Sequence, residues 1–163
     1  MDKQSISSLF DYHIWANHQV WDCLDSINAE QFTESVAYSH GSLQSQFFHV
    51  MQSDNYVPFM LEKPIPGGEM KKEDFLDSGV MRTQWDVVEA GIKEALADTN
   101  DEQIQGSTSL PAGDGTSVEV PMWEALLSII NHGTNHRAQI LMQLDKLGGK
   151  TVEQGLYFYM LQR

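Results

Sequence analysis

Long amphipathic segments restrict this sequence to a helical fold. Apolar residues recur at spacings of three and four over residues 5–26, 43–60, 80–96 and 121–147. This spacing places them along one face of an α-helix, and that face is stable only when it packs against another apolar surface. Four helices of this kind predict an all-α protein built as a four-helix bundle.

Capping residues and helix breakers mark the ends of these segments. Ser42 is suited to cap the second helix, and either Asp77 or Ser78 the third, because such side chains accept hydrogen bonds from free backbone N–H groups. Pro121 suits the first turn of the last helix, and the glycines at 148–149 are suited to end it.

The connection between the third and fourth helices has a different pattern. Residues 104–110 and 116–120 are two short extended stretches around the turn sequence Pro-Ala-Gly-Asp-Gly at 111–115. Two such stretches on either side of a glycine-rich turn predict a small β-hairpin. After the last helix, the aromatic segment 156–159 is predicted to pack back onto the bundle.

Composition excludes several classes of protein. No internal repeat or linker is evident, so residues 1–163 are predicted to form a single domain. The formal net charge of -13 argues against nucleic acid or an anionic membrane as a partner, because both are polyanions. No stretch approaches the roughly 18 apolar residues of a membrane span, and the N-terminal residues do not resemble a signal peptide. We therefore expect a cytoplasmic protein, with a single cysteine and no internal disulfide.

The histidine pair His132 and His136 is the strongest indication of chemistry. Four residues apart on one helix, the two imidazoles project from the same face and can bind one ion. His49, on the second helix, is the candidate third ligand. On an idealised helical wheel of about 100° per residue, all three lie on a shoulder of the apolar stripe. The spacing therefore predicts a metal site formed by His49, His132 and His136.

A structural role is the alternative for these histidines, because a histidine at the edge of a core is often only hydrogen-bonded. Three imidazoles on matching shoulders of two helices favour the metal site. Imidazole is a good ligand for zinc, nickel, iron and copper alike, so the ligand set does not choose the ion.

Several neighbouring polar residues have two possible roles. Asp54 falls inside the apolar stripe, so its carboxylate is predicted to be buried and to need a partner, for which Asn17 and His18 are candidates. A structural contact between helices is favoured for Asp54 over a catalytic role. Tyr56 is placed either to reach a ligand at the ion or to pack at the rim. Arg137 can hold a buried carboxylate or extend into solvent.

Other positions carry weaker indications. Gln139 and Gln143 are either hydrogen-bond donors near the ligands or solvated side chains. Pro58 removes a backbone donor, which predicts a kink in the second helix. Cys23 has no basic neighbour at helical spacing, so a nucleophilic role is not supported.

With these residues identified, the chain resembles the DinB/YfiT-like family of metal-dependent enzymes over nearly its whole length. Residues 12–17 are similar to the aromatic, Trp and Asn pattern of the family's first helix, and His49 followed by Asp54 is similar to its second helix. Residues 131–140, Asn-His-Gly-Thr-Asn-His-Arg-Ala-Gln-Ile, resemble its most specific signature. Ala138 stands where glycine is common in the family.

The resemblance implies an up-down-down-up four-helix bundle with a divalent metal bound by three histidines, which map onto His49, His132 and His136. It also implies a bacterial homodimer acting on a small molecule. Some relatives are S-transferases that use a low-molecular-weight thiol such as bacillithiol or mycothiol, and others include maleylpyruvate isomerase. We therefore expect a thiol S-transferase whose zinc, nickel or iron ion activates an external thiol. The alternative is a non-catalytic stress-response protein that binds a metal or small ligand.

Overall fold

The computed structural model describes residues 1–162 and packs four long helices around a shared hydrophobic core. The long helices are α1 (Lys3–Asp22), α3 (Leu43–Asn55), α5 (Ser78–Asp98) and α7 (Met122–Lys146). The short helices are α2 (Ala29–Thr33), α4 (Val57–Met60), α6 (Asp101–Gln105) and α8 (Leu156–Met160). Strands β1 (Ser107–Pro111) and β2 (Ser117–Pro121) form an antiparallel hairpin between α6 and α7.

The long helices run up, down, down and up, which confirms the predicted all-α bundle. Helix α7 is parallel to α1, whereas α3 and α5 are antiparallel to it. The direction of α7 follows from the contacts His13–Arg137 and Ser26–Lys150. That of α3 follows from Trp21–Phe47 and His13–Asp54, and that of α5 from Trp21–Trp85 and Lys3–Ala97. This arrangement makes α3 and α7 antiparallel neighbours, so residues from the middle of each helix face one another.

Most predicted helix ends are confirmed. The Ser42 side chain accepts a hydrogen bond from the backbone N–H of Ser45 and caps α3. Asp77, rather than Ser78, caps α5 by accepting from Val80. The kink predicted near Pro58 is instead a break, because α3 ends at Asn55 and a separate short helix, α4, contains the proline.

The predicted hairpin is confirmed, but its predicted start at residue 104 is wrong. Residues 101–105 form α6, whose N-terminus is held by a reciprocal capping box between Asn100 and Gln103. Ile104 is fully buried in the core from this helix. At the hairpin turn, Gly115 has a φ of 84°, a left-handed conformation that favours glycine.

The segment after α7 packs on the bundle through one face. The Tyr159 ring lies 5.9 Å from Tyr12 and 5.4 Å from Trp15, measured between ring centroids, which confirms the predicted return of this segment. Tyr157 and Leu161 on its other face are exposed. Within residues 1–162, no helix is both long and apolar enough to cross a lipid bilayer.

Candidate metal centre

Four histidines gather where α3 and α7 face each other. The Nε2 atoms of His49, from α3, and His132, from α7, lie 2.9 Å apart. The His136 ring lies one helical turn away, with its centroid 4.6 Å from that of His49 and 4.3 Å from that of His132. The three predicted ligands therefore lie side by side.

The fourth member of the cluster is His40, from the connection between α2 and α3. Its ring stacks on His49 with centroids 4.0 Å apart and lies 5.2 Å from His136. One nitrogen from each of His40, His49 and His136 lies within 4.8 Å of the other two. His40 is outside the predicted ligand set because it occupies a polar segment without helical periodicity. Its proximity to the Ser42 cap is the one sequence signal that would have drawn attention to it.

Gln46 determines the protonation pattern of His136. The Oε1 atom of this fully buried glutamine lies 3.0 Å from Nδ1 of His136. An amide oxygen only accepts, so Nδ1 of His136 carries the proton and Nε2 is left with a free lone pair. The Gln46 amide N–H in turn donates to Gln139 Oε1 at 3.2 Å, and this oxygen also accepts from the Ser39 hydroxyl at 2.6 Å. Gln139 thus supports the site as an acceptor, whereas the predicted supporting role is that of a donor.

The environment favours the neutral form of the His49, His132 and His136 imidazoles. Burial, reinforced by the neighbouring His40 and His132, lowers the pKa of His49 to about 4. Burial, reinforced by His132, His49 and His40, lowers the pKa of His136 to about 4. The pKa of His132 is also lowered by burial, while the Asp54 carboxylate opposes that shift. Neutral imidazoles with available lone pairs are the donor set that a divalent transition metal requires, so these residues match the predicted ion.

A buried polar network lies beside His132 and joins α1, α3 and α7. The Asp54 carboxylate accepts from Nε2–H of His13 at 2.9 Å and from the Asn17 amide at 3.1 Å. The Arg137 guanidinium donates to Nδ1 of His13 at 3.1 Å and to the Asn17 oxygen at 2.8 Å. Asp54, His13, Asn17 and Arg137 are each at most 2% exposed. The buried carboxylate and guanidinium therefore compensate each other through two neutral side chains.

This network confirms Asn17 as a partner of Asp54 and places Arg137 inside the protein. The prediction that His18 is also a partner of Asp54 is wrong. The second hydrogen bond to the Asp54 carboxylate comes from His13, one turn before Asn17 on α1. His13 lies directly under Gly133, where an added Cβ would be 2.3 Å from its Cε1 atom. The glycine between the two predicted ligands on α7 is thus required by close packing of α1.

His18 belongs to a second polar cluster on the other side of α1. Its Nε2 atom lies 2.6 Å from the Glu89 carboxylate, and one ligand atom from each of His18, Asp86 and Glu89 lies within 4.8 Å of the others. The Arg82 guanidinium lies among them, 2.9 Å from His18 and 2.7 Å from Asp86. Because a side-chain cation already compensates the two carboxylates, we assign this cluster a structural role.

Tyr56 and Gln143 stand apart from the histidine cluster. Tyr56 is the residue just after α3, packs on Phe59 with ring centroids 4.9 Å apart, and lines a cleft of about 350 Å³ between α4 and the hairpin. This contact favours the rim-packing role. Gln143 is 3% exposed, and neither amide atom has a hydrogen-bond partner among residues 1–162, so it is not a solvated side chain.

The fold and the histidine cluster together define a helical-bundle protein with a candidate metal centre between two antiparallel helices. The model of the DinB family matches residues 1–161, and the chain belongs to that family. Protein DinB of Bacillus subtilis (strain 168) is 22% identical over 159 residues, which are 93% of this chain and 92% of the relative.

A solved structure has the same fold. The crystal structure of a DinB-like protein from Bacillus cereus ATCC 10987 superimposes with a TM-score of 0.64 and 18% sequence identity. The match covers 90% of this chain and 95% of that protein. At this level of identity, the similarity establishes the architecture alone.

Proposed function

We propose that this protein is a divalent-metal-dependent enzyme whose ion is bound by His49, His132 and His136, and that it transfers an external thiol to a small electrophile. The convergence of three neutral imidazoles from two facing helices is the observation that carries this proposal. Gln46 strengthens it, because its hydrogen bond to Nδ1 of His136 directs the free Nε2 lone pair into the cluster.

The donor set suits activation of a thiol. His49, His132 and His136 would hold the ion through neutral nitrogens, so that a divalent ion would keep its full charge and an open position and would lower the pKa of a thiol there. The sulfur then forms a bond to the electrophilic carbon, the leaving group departs with its electron pair, and the thiol proton passes to solvent. Zinc, nickel and iron all suit such a ligand set.

The one cysteine of the chain is not suited to act as a competing nucleophile. Cys23 lies at the end of α1, is 5% exposed, and bonds through Sγ to the Gln19 carbonyl at 3.4 Å. Burial raises the pKa of its thiol, which keeps it protonated and unreactive. An external low-molecular-weight thiol is therefore the attacking group that the proposal requires.

The remaining features of the proposal concern organisation. We infer a single domain over residues 1–163, since the four long helices share a hydrophobic core. We also infer a bacterial, cytoplasmic homodimer. Exposed apolar side chains on and just beyond α8 support self-association, because an isolated surface seldom leaves so many large apolar groups in water; these are Leu156, Tyr157, Met160 and Leu161.

Metal content and thiol-dependent turnover test this function. Tag-free protein should contain about one transition-metal ion per chain, and the variants His49→Ala, His132→Ala and His136→Ala should each lose it. With that ion restored, the wild-type protein should consume an electrophile such as a chloronitrobenzene only when a thiol is present. Turnover that persists after complete removal of the metal would contradict the proposal.

A non-catalytic protein that binds a metal or small ligand is the second candidate. The observation that favours it is the fourth imidazole, since sites with four protein ligands are typically structural and closed to substrate. This candidate predicts tight metal binding and no turnover with any thiol.

A further inference from the structure

We propose that His40 is a removable fourth ligand of the metal centre, carried on the connection between α2 and α3, which closes the site when no substrate is bound. The inference rests on the proposed three-histidine centre and adds to it a residue from outside the bundle helices. Four imidazoles would complete a tetrahedral set, whereas three leave a position for a substrate.

The position of His40 supports a direct contact with the ion. Nitrogen atoms bound to one tetrahedral zinc ion lie about 3.4 Å apart, given Zn–N bonds of about 2.1 Å. One nitrogen of His40 already lies within 4.8 Å of those of His49 and His136. The His40 nitrogen is therefore close to the spacing that a shared ion requires, together with those of His49 and His136.

The connection that carries His40 belongs to the same hydrogen-bond network that orients His136. The Ser39 hydroxyl donates to Gln139 Oε1 at 2.6 Å, and Gln139 accepts in turn from Gln46. Ser39 has a φ of 48°, a left-handed conformation that a residue other than glycine seldom adopts. This bond thus fixes the residue before His40 in the orientation that directs the imidazole toward the cluster.

A His40 side chain that can bind the ion or leave it accounts for both candidate functions, the closed binding site and the open catalytic site. His40 is exposed and belongs to no helix, so it can leave the cluster without unfolding the bundle. Bound, it excludes water and thiol from the ion. Displaced by an incoming thiol, it opens the coordination position that the proposed transferase chemistry needs.

Metal binding by the full-length His40→Ala variant provides the test. Tyr38→Ala is the matched control, because Tyr38 lies in the same connection and is exposed but supplies no metal ligand. Zinc affinity is measured by competition with a chelating dye, and cobalt is used as a spectroscopic probe, since four-coordinate Co²⁺ absorbs visible light more strongly than five- or six-coordinate Co²⁺. Free imidazole is then added to the cobalt form of each protein.

We expect His40→Ala to weaken zinc binding by at least roughly tenfold, the lower end of the loss caused by removing a supporting partner of a ligand. Its cobalt absorption should decrease and should recover when imidazole is added, while Tyr38→Ala matches the wild type. If His40→Ala retains wild-type affinity and spectrum while the wild type binds one ion, the inference about His40 is wrong and the three-histidine centre stands. If the wild type binds no ion, both fail.

Discussion

His136 donates a hydrogen bond from Nδ1 to the side-chain oxygen of Gln46, at 3.0 Å, across the interface between α3 and α7. Gln46 is fully buried and lies one turn before His49 on the same helix. The contact therefore joins His136 to the helix that carries His49, and it selects the tautomer in which Nε2 of His136 is free to bind an ion.

Replacing Gln46 should weaken metal binding without removing a ligand. We expect Gln46→Leu to lower metal affinity by about tenfold to a hundredfold, because His136 loses the acceptor that fixes its ring. Gln44→Leu is the matched control, since Gln44 is also buried on α3 but bonds to the carbonyls of Lys72 and Phe75. Titration with a chelating dye compares the two. Equal metal affinity in the two variants would show that Gln46 does not support the metal site.

The buried network around Asp54 should contribute strongly to stability. In Asp54→Asn the Arg137 guanidinium stays buried without a compensating charge, and we expect the free energy of unfolding to fall by about 3 kcal/mol. Asp98→Asn is the control, because the Asp98 side chain is 69% exposed in its pair with Lys63 and should change stability by less than about 1 kcal/mol. Urea denaturation measures both. Similar values for the two variants would show that the buried charges do not depend on each other.

Close packing at Gly133 should not tolerate a methyl group. A Cβ there would lie 2.3 Å from His13 Cε1 and 2.9 Å from Arg137 Nη1, and both side chains are held by the buried network. We expect Gly133→Ala to destabilise the protein by about 2 kcal/mol, although alanine is the better helix former by roughly 1 kcal/mol. Thermal unfolding is compared with Gly113→Ala, in the hairpin turn, where an added Cβ meets nothing within 4 Å. An unchanged melting temperature for Gly133→Ala would contradict this packing.

The neutral histidines should make the metal-free protein sensitive to mild acid. In the unfolded chain an imidazole takes up a proton near pH 6.5, whereas burial holds the pKa of His49 and His136 at about 4 in the folded state. Between these values the unfolded state binds more protons, so stability is complete above about pH 6.5 and decreases as the pH falls toward 4.

Urea denaturation of metal-free protein between pH 7.5 and about pH 5 measures this dependence. The double variant His49→Gln, His136→Gln should show a shallower decrease, because glutamine does not titrate. A pH dependence identical to that of the wild type would mean that other groups are responsible.

The helices and the proposed ligands follow from local sequence, for clear physical reasons. Apolar spacing of three to four residues and the caps at Ser42 and Asp77 act within single segments, so they are visible without the fold. The spacing of His132 and His136 is a property of one helix, and His49 shares a comparable position on another. The burial of Asp54 follows from the same helical geometry, whereas its contact with Asn17 joins two helices and depends on how they pack.

Tertiary packing alone decided the rest. Gln46 and His13 make contacts between segments 41 to 124 residues apart in the chain, namely His13 with Asp54 and with Arg137, and Gln46 with His136. His40 likewise meets His136 from a distant part of the chain. Residues 101–105 form a helix because the Asn100–Gln103 capping box and burial of Ile104 outweigh their extended sequence pattern. Periodicity specifies which face of a helix is buried, but the distance between facing side chains depends on how closely the helices approach.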